Sequence, residues 1–159
     1  MNLKLQDYDG QYRIVSLAKE ESVKTDLLGS SLPIWSLEDG TVIAYPECRE
    51  VHLTAEDVEV LSHYNNYDVL EIFENGVARR YYDCSTNENV FFITGKCNSN
   101  CIMCPSPEIT RRKGTNTAID ALIRLAEHIP TSANHFTITG GEPFLVGDSI
   151  FPFWQFLQC

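Results

Sequence analysis

In the first half of the chain, apolar residues come in short β-branched and aromatic runs broken at intervals by turn chemistry. Leu32 to Leu37 and Thr41 to Tyr45 flank Asp39-Gly40, while Val69 to Phe73 and Val77 to Tyr82 flank Asn75-Gly76. Both dipeptides supply the positive φ angles of tight turns, so the pattern predicts two β-hairpins. Between them, Thr54-Ala-Glu-Asp57 reads as the start of a short helix ending near Tyr64. There the Thr hydroxyl would accept a backbone N–H and Asp57 would reach back. Residues 1–88 are expected to form a small, mostly β domain.

From Asn89 single strands alternate with longer helical patterns, which is the signature of βα units on a parallel sheet. Val90-Phe-Phe-Ile-Thr94 is a continuous apolar run suited to a strand buried on both faces. A loop from Gly95 to about Asn116 follows. Thr117 then caps a helix whose apolar positions Ile119, Leu122, Ile123, Ala126 and Ile129 keep helical spacing until Pro130 stops it. His135 to Thr139 is the next strand and runs into the loop Gly140-Gly-Glu-Pro-Phe-Leu145. A second helix is expected from Asp148 or Ser149, with Ile150, Phe153, Trp154 and Leu157 on one face, and the chain stops inside it. Residues 89–159 therefore read as α/β, with the boundary placed in the polar stretch Asp83 to Asn89.

Composition is that of a globular chain, at 43% hydrophobic and 21% charged residues. A formal net charge of -10 repels phosphate backbones and anionic headgroups, so neither nucleic acid nor a membrane is an expected partner. The N-terminus MNLKLQDYDG lacks the apolar core of a secretory signal, and a cytoplasmic location is expected. The basic run Arg111-Arg112-Lys113 reads as a solvated turn or, alternatively, as an anchor for a carboxylate of a peptide substrate or partner. Arg79-Arg80 reads as hairpin surface, since adjacent strand residues face opposite sides.

Three of the six cysteines crowd into the eight positions of Cys97-Asn-Ser-Asn-Cys101-Ile-Met-Cys104, directly after a predicted strand. That crowding points to metal binding rather than disulfides, while Cys48 and Cys84 read as small buried hydrophobes. Thiolates are the ligands an iron–sulfur cluster requires, and a short loop lets several sulfurs converge on one. Three thiolates on a four-iron cubane leave one iron open to a further ligand. Zinc would need a fourth ligand from Cys84, His52, His63, His128 or His135. A redox dithiol would use Cys101 and Cys104 alone. Gly140-Gly141 taken alone is a tight strand exit. At the C-terminal end of a parallel strand, two glycines also let backbone approach a ligand closely.

C-x3-C-x2-C after the first strand of a βα series, followed one unit later by Gly-Gly-Glu-Pro, resembles the radical S-adenosylmethionine (SAM) superfamily. The resemblance covers about Val90 to Cys159. It implies that Cys97, Cys101 and Cys104 ligate a [4Fe–4S] cluster whose fourth iron is chelated by SAM. It further implies that Gly140, Gly141, Glu142 and Pro143 hold the SAM amino group. Met103 stands where the family usually has an aromatic residue near the adenine, and a thioether can also pack on a purine. The implied fold is an incomplete radical SAM (βα)6 partial barrel, its first two strands preceded by the β-rich domain. The implied chemistry is reductive cleavage of SAM, with an external electron donor, to a radical that abstracts hydrogen from substrate. A six-unit barrel needs about 180 residues at about 30 per unit, so the chain is expected to be a truncated or split gene product or an excerpt from a longer protein, too short to be active alone. The stretch FFITGKCNSNCIMCPSPE is similar to the maturases of the His-Xaa-Ser peptide-modification system. That likeness implies a peptide substrate, a possible second radical SAM protein as partner, and the N-terminal domain as docking surface. A non-catalytic remnant and a zinc-stabilised interaction module are the alternatives from other classes.

Overall fold

The computed structural model describes residues 2–104, 106, 112–133 and 135–158, so Arg111 and Cys159 lie outside the described residues. The chain is mixed α/β and divides into two compact units: Met1–Asn87 with His128–Asn134, and Glu88–Glu127 with His135–Cys159.

The first unit contains β1 (Asn2–Lys4), β2 (Arg13–Ala18), α1 (Glu21–Gly29), β3 (Ile34–Glu38) and β4 (Thr41–Tyr45). It continues through β5 (Arg49–Val51), α2 (Ala55–Ser62), β6 (Val69–Ile72) and β7 (Val77–Tyr82). Its strands form one seven-stranded sheet in the order β1-β7-β6-β2-β3-β4-β5. Past the two edges, the Gln6 N–H donates to the His52 carbonyl at 3.0 Å, so the sheet curls until its ends meet. Inside lie Leu3, Val15, Leu17, Trp35, Leu61, Leu70 and Ile72, all buried.

Both predicted hairpins form. Asp39 and Gly40 take positive φ angles of 48° and 79°, closing a two-residue loop between Glu38 and Thr41. At the second hairpin only Gly76 has positive φ, at 75°. The Phe73 N–H instead donates to the Val77 carbonyl across Glu74, Asn75 and Gly76, while the Asn75 side chain accepts from the Val77 N–H at 3.0 Å. At α2 the Thr54 hydroxyl accepts from the Asp57 N–H at 3.1 Å as expected, but the Asp57 carboxylate accepts from that same hydroxyl rather than from backbone.

Helix α1 has no counterpart in the sequence pattern. It carries the parallel crossover from β2 to β3, whose register pairs Ser16 with Ile34, and buries only Val23 and Leu27 against Ala18 and Ile34. Two buried positions one turn apart make too thin a stripe to stand out. Cys48 and Cys84 correct a second expectation, because both are exposed. Cys48 sits at φ 51° in a turn rather than in a strand facing the core.

Arg79 and Arg80 do more than coat a surface. The Arg79 guanidinium holds Glu71 at 2.7 Å and lies 4.9 Å from the centroid of the Phe73 ring. Arg80 lies 4.6 Å from the Tyr64 ring centroid and reaches Asp68, which is fully buried, at 3.2 Å.

His128 is also buried, with Nδ1 2.9 Å from the Ser16 hydroxyl. Burial pushes its imidazole down to about 4, below the ordinary value of 6.5. The unfolded chain therefore binds a proton between those values that the folded chain does not. Stability is full above about 6.5 and falls as the pH drops toward 4, by on the order of 3 kcal/mol. Urea titrations at pH 7 and 4.5 are expected to show this loss, and a His128→Gln variant should flatten it.

The second unit contains β8 (Val90–Thr94), α3 (Ile119–Glu127), β9 (Thr137–Gly140), a 3-10 segment (Pro143–Ile150) and α4 (Phe151–Phe156). Strands β8 and β9 pair in parallel, Val90 with Thr137 and Phe92 with Thr139, and α3 connects them. The buried side of α3 is Leu122, Leu125 and Ala126, and the helix stops at Glu127, ahead of Pro130. The Thr117 hydroxyl does not cap α3; it donates to the Phe92 carbonyl at 2.7 Å and ties the loop exit to β8. Strand β8 is not buried on both faces along its length: Phe91 and Ile93 are inside, whereas on the other face Val90 is 40% and Phe92 51% exposed and only Thr94 is buried. Phe91 packs edge-on against Phe153 with centroids 5.0 Å apart. In α4 and just before it, Ile150 and Phe153 are buried, but Trp154 and Leu157 turn outward. The expected helical start near Asp148 is 3-10 instead, and Gly147, at φ 62°, ψ -149°, kinks the chain between it and the 3-10 turn that Pro143 opens. Among the described residues no helix is long and apolar enough to cross a membrane.

Candidate functional site

Two loops leave the C-terminal ends of the paired strands β8 and β9. The cysteine loop departs after Thr94 and the Gly-Gly-Glu-Pro loop begins at Gly140, which is paired with Thr94. Parallel pairing places both exits at one end of the sheet, where α/β folds carry their ligand sites.

The loops touch through backbone. The Gly141 N–H donates to the Thr94 carbonyl at 2.7 Å, and the Glu142 N–H donates to the Lys96 carbonyl at 2.8 Å. This approach is closed to any other residue type. A Cβ on Gly141 would lie 2.1 Å from the Lys96 carbonyl oxygen and 2.8 Å from Cys97 Cβ, and one on Gly140 would lie 2.4 Å from the Thr94 oxygen. The glycines are thus needed first to bring one loop against the other, ahead of any approach to a ligand.

Cys97 and Cys104 are half-buried and Cys101 is exposed. The segment between them has turns rather than helix or strand, with the Cys104 N–H donating to the Cys101 carbonyl at 3.1 Å. The Ser99 N–H points at Cys97 Sγ, 3.4 Å away, an arrangement that complements negative charge on sulfur. Among the described residues no three His, Cys, Asp or Glu side chains are grouped to hold a metal ion, so the loop brings the cysteines into one neighbourhood without converging their sulfurs. Met103 is 94% exposed beside an equally open Ile102. The Glu142 carboxylate accepts from the Phe144 N–H at 3.2 Å and caps the 3-10 segment, and Pro143 opens that segment. Arg112 and Lys113 are exposed.

No protein-family model, curated protein or solved structure matches the chain. The chemistry open to the site is set by its own donors. Three thiols on an eight-residue loop suit a soft metal centre. Beside them, the carbonyls of Gly140 and Gly141 and the Glu142 carboxylate suit an ammonium group.

Cys84 and His128, two sequence candidates for a fourth zinc ligand, are engaged in the first unit. The Cys84 thiol donates to the Asn66 carbonyl at 3.1 Å and is pushed up to about 11 by desolvation and by the Asp68 and Asp83 carboxylates. It is held protonated, and a protonated thiol is a poor metal ligand. His128 is bound to Ser16.

Sequence reasoning missed the residues that frame the loop. Gly114 lies against Gly95, where a Cβ would come within 2.3 Å of the Gly95 carbonyl carbon. Thr94 and Asn116 form an antiparallel bridge. The signal available for this neck was a glycine at each end of the loop, and by itself it reads as ordinary turn chemistry.

Proposed function

We propose that the second unit is the opening segment of a radical SAM core, with β8-α3-β9 as the first two strands of a (βα)6 partial barrel. Cys97, Cys101 and Cys104 would hold a [4Fe–4S] cluster. Gly140, Gly141, Glu142 and Pro143 would hold SAM, with Met103 against the adenine. The observation that carries this reading is the pair of backbone hydrogen bonds from Gly141 and Glu142 to Thr94 and Lys96, which seat the Gly-Gly-Glu-Pro loop on the first residues of the cysteine loop. The donor set fits: the thiols share one short segment without regular structure, so drawing the sulfurs together breaks no helix or strand.

When bound, the cluster and SAM supply one-electron reductive chemistry and hydrogen-atom abstraction from substrate. The protein's own part is to bind and orient. The Gly140 and Gly141 carbonyls accept from an ammonium group, Glu142 adds negative charge while anchored on the Phe144 N–H, and the Ser99 N–H supports the Cys97 sulfur. The substrate in this reading is a peptide, on the strength of the likeness of FFITGKCNSNCIMCPSPE to peptide maturases. An external electron donor and a second radical SAM protein are its partners, with the first unit as the docking surface.

The test is anaerobic reconstitution of the chain with iron and sulfide, followed by EPR of the reduced protein with and without SAM. A variant with Cys97, Cys101 and Cys104 all changed to Ala is the control. A [4Fe–4S] signal that shifts with SAM and vanishes in the variant is the expected result. A colourless protein carrying tetrahedral zinc would overturn the reading in favour of an interaction module. A cluster blind to SAM would leave a non-catalytic remnant.

A further inference from the structure

Thr94 is fully buried at the point where three segments meet. Its carbonyl accepts from the Gly141 N–H at 2.7 Å. Its hydroxyl accepts from the Lys96 N–H at 3.0 Å, at the entry of the cysteine loop, and donates to Asn116 Oδ1 at 2.8 Å, at the exit. The exit is pinned further where the Gly95 N–H donates to the Thr115 carbonyl at 2.9 Å and the Thr117 N–H to the Ile93 carbonyl at 2.8 Å. Glycines at positions 95 and 114 let the two arms of this neck approach without side chains between them. One hydroxyl, with its donor and acceptor capacity both in use, therefore ties both ends of the cysteine loop to the residue whose carbonyl seats the glycine loop.

We propose that Thr94, through its hydroxyl bond to Asn116, is a positioning residue that fixes the cysteine loop against the Gly-Gly-Glu-Pro loop. Neither residue belongs to the cysteine or Gly-Gly-Glu-Pro motif. Thr94 acts through Lys96 and Cys97 on one side and Gly141 on the other. The consequence for SAM rests on the radical SAM reading; the consequence for the metal-free loop does not.

Thr94→Val removes the hydroxyl and keeps the β-branched shape, and Thr94→Ser keeps the hydroxyl. Two readouts follow. In the metal-free chain, alkylation of each cysteine by iodoacetamide, quantified by peptide mass spectrometry, should be slower at half-buried Cys97 than at exposed Cys101. Thr94→Val should bring the Cys97 rate close to that of Cys101, and Thr94→Ser should restore the gap. In the reconstituted chain, the SAM concentration that half-saturates the EPR change should rise about tenfold in Thr94→Val, as for loss of a buried hydrogen bond, and return with Thr94→Ser. An unchanged ratio of Cys97 to Cys101 rates overturns the proposal, as does an unchanged half-saturation in a chain that responds to SAM. If the wild-type chain shows no response to SAM, the radical SAM reading fails, and the alkylation ratio still decides the role of Thr94. Should Thr94→Val not fold, Asn116→Leu, at an exposed position, carries both readouts.

Discussion

Gly141→Ala is expected to lower the thermal midpoint of the second unit and, on the radical SAM reading, to abolish the SAM-dependent change in the EPR spectrum. The added methyl would stand 2.1 Å from the Lys96 carbonyl oxygen and 2.6 Å from its carbon, both backbone atoms that cannot rotate away. Relief requires the two loops to part, which breaks the hydrogen bonds from Gly141 to Thr94 and from Glu142 to Lys96. Overpacking of this kind costs roughly 1–3 kcal/mol, on top of those bonds. Gly140→Ala should behave alike, since it adds a φ of 145° to a 2.4 Å clash with the Thr94 oxygen. Gly147→Ala is the control. It too sits at positive φ, 62°, but a Cβ there meets nothing within 4 Å, so it should lose about 1–3 kcal/mol to backbone strain and leave the loop contact intact. Thermal melts and SAM titrations of the three variants separate strain in the backbone from loss of contact between the loops.

Asp68→Ala is expected to destabilise the first unit by roughly 2–5 kcal/mol, read as a lowered urea midpoint of the full chain. The carboxylate is fully buried and accepts from the Asn65 N–H at 3.0 Å, the Cys84 N–H at 2.9 Å and the Arg80 guanidinium at 3.2 Å. Removing it leaves two backbone donors without their acceptor, and donors left unsatisfied inside a protein cost more than the bonds themselves contributed. Arg80 keeps Asp83 at 2.8 Å, so the guanidinium is not stranded. Asp68→Asn, which preserves shape and one acceptor, should lose less. The Cys84 thiol should also become more reactive toward alkylating agents in both variants, because Asp68 is one of the groups that hold it protonated.

Where local chemistry determines structure, the sequence was legible. Asp39-Gly40 and Asn75-Gly76 marked their hairpins because positive φ is a property of a few residues. The parallel pair β8–β9 followed from a strand, a helix stopped ahead of Pro130, and a second strand. Where tertiary contacts decide, it was not. Helix α1 forms because two residues, Val23 and Leu27, find Ala18 and Ile34, a match no local window contains. Phe92 looked like core because an apolar run does not say how many of its faces are covered. The site divided along the same line. The cysteines and glycines were visible as motifs, whereas Thr94 and Asn116 are ordinary polar residues whose meeting across the loop depends on the fold.

The seven residues His128–Asn134 belong by their contacts to the first unit, although the chain on either side of them belongs to the second. The polypeptide therefore enters the second unit, returns, and leaves again, so the units are interleaved rather than strung in sequence. During synthesis the first unit lacks its last piece, and Ser16 lacks His128, until α3 has already emerged from the ribosome. Proteolysis near Asn87 would likewise release a fragment in which the buried Ser16 hydroxyl has lost its His128 partner.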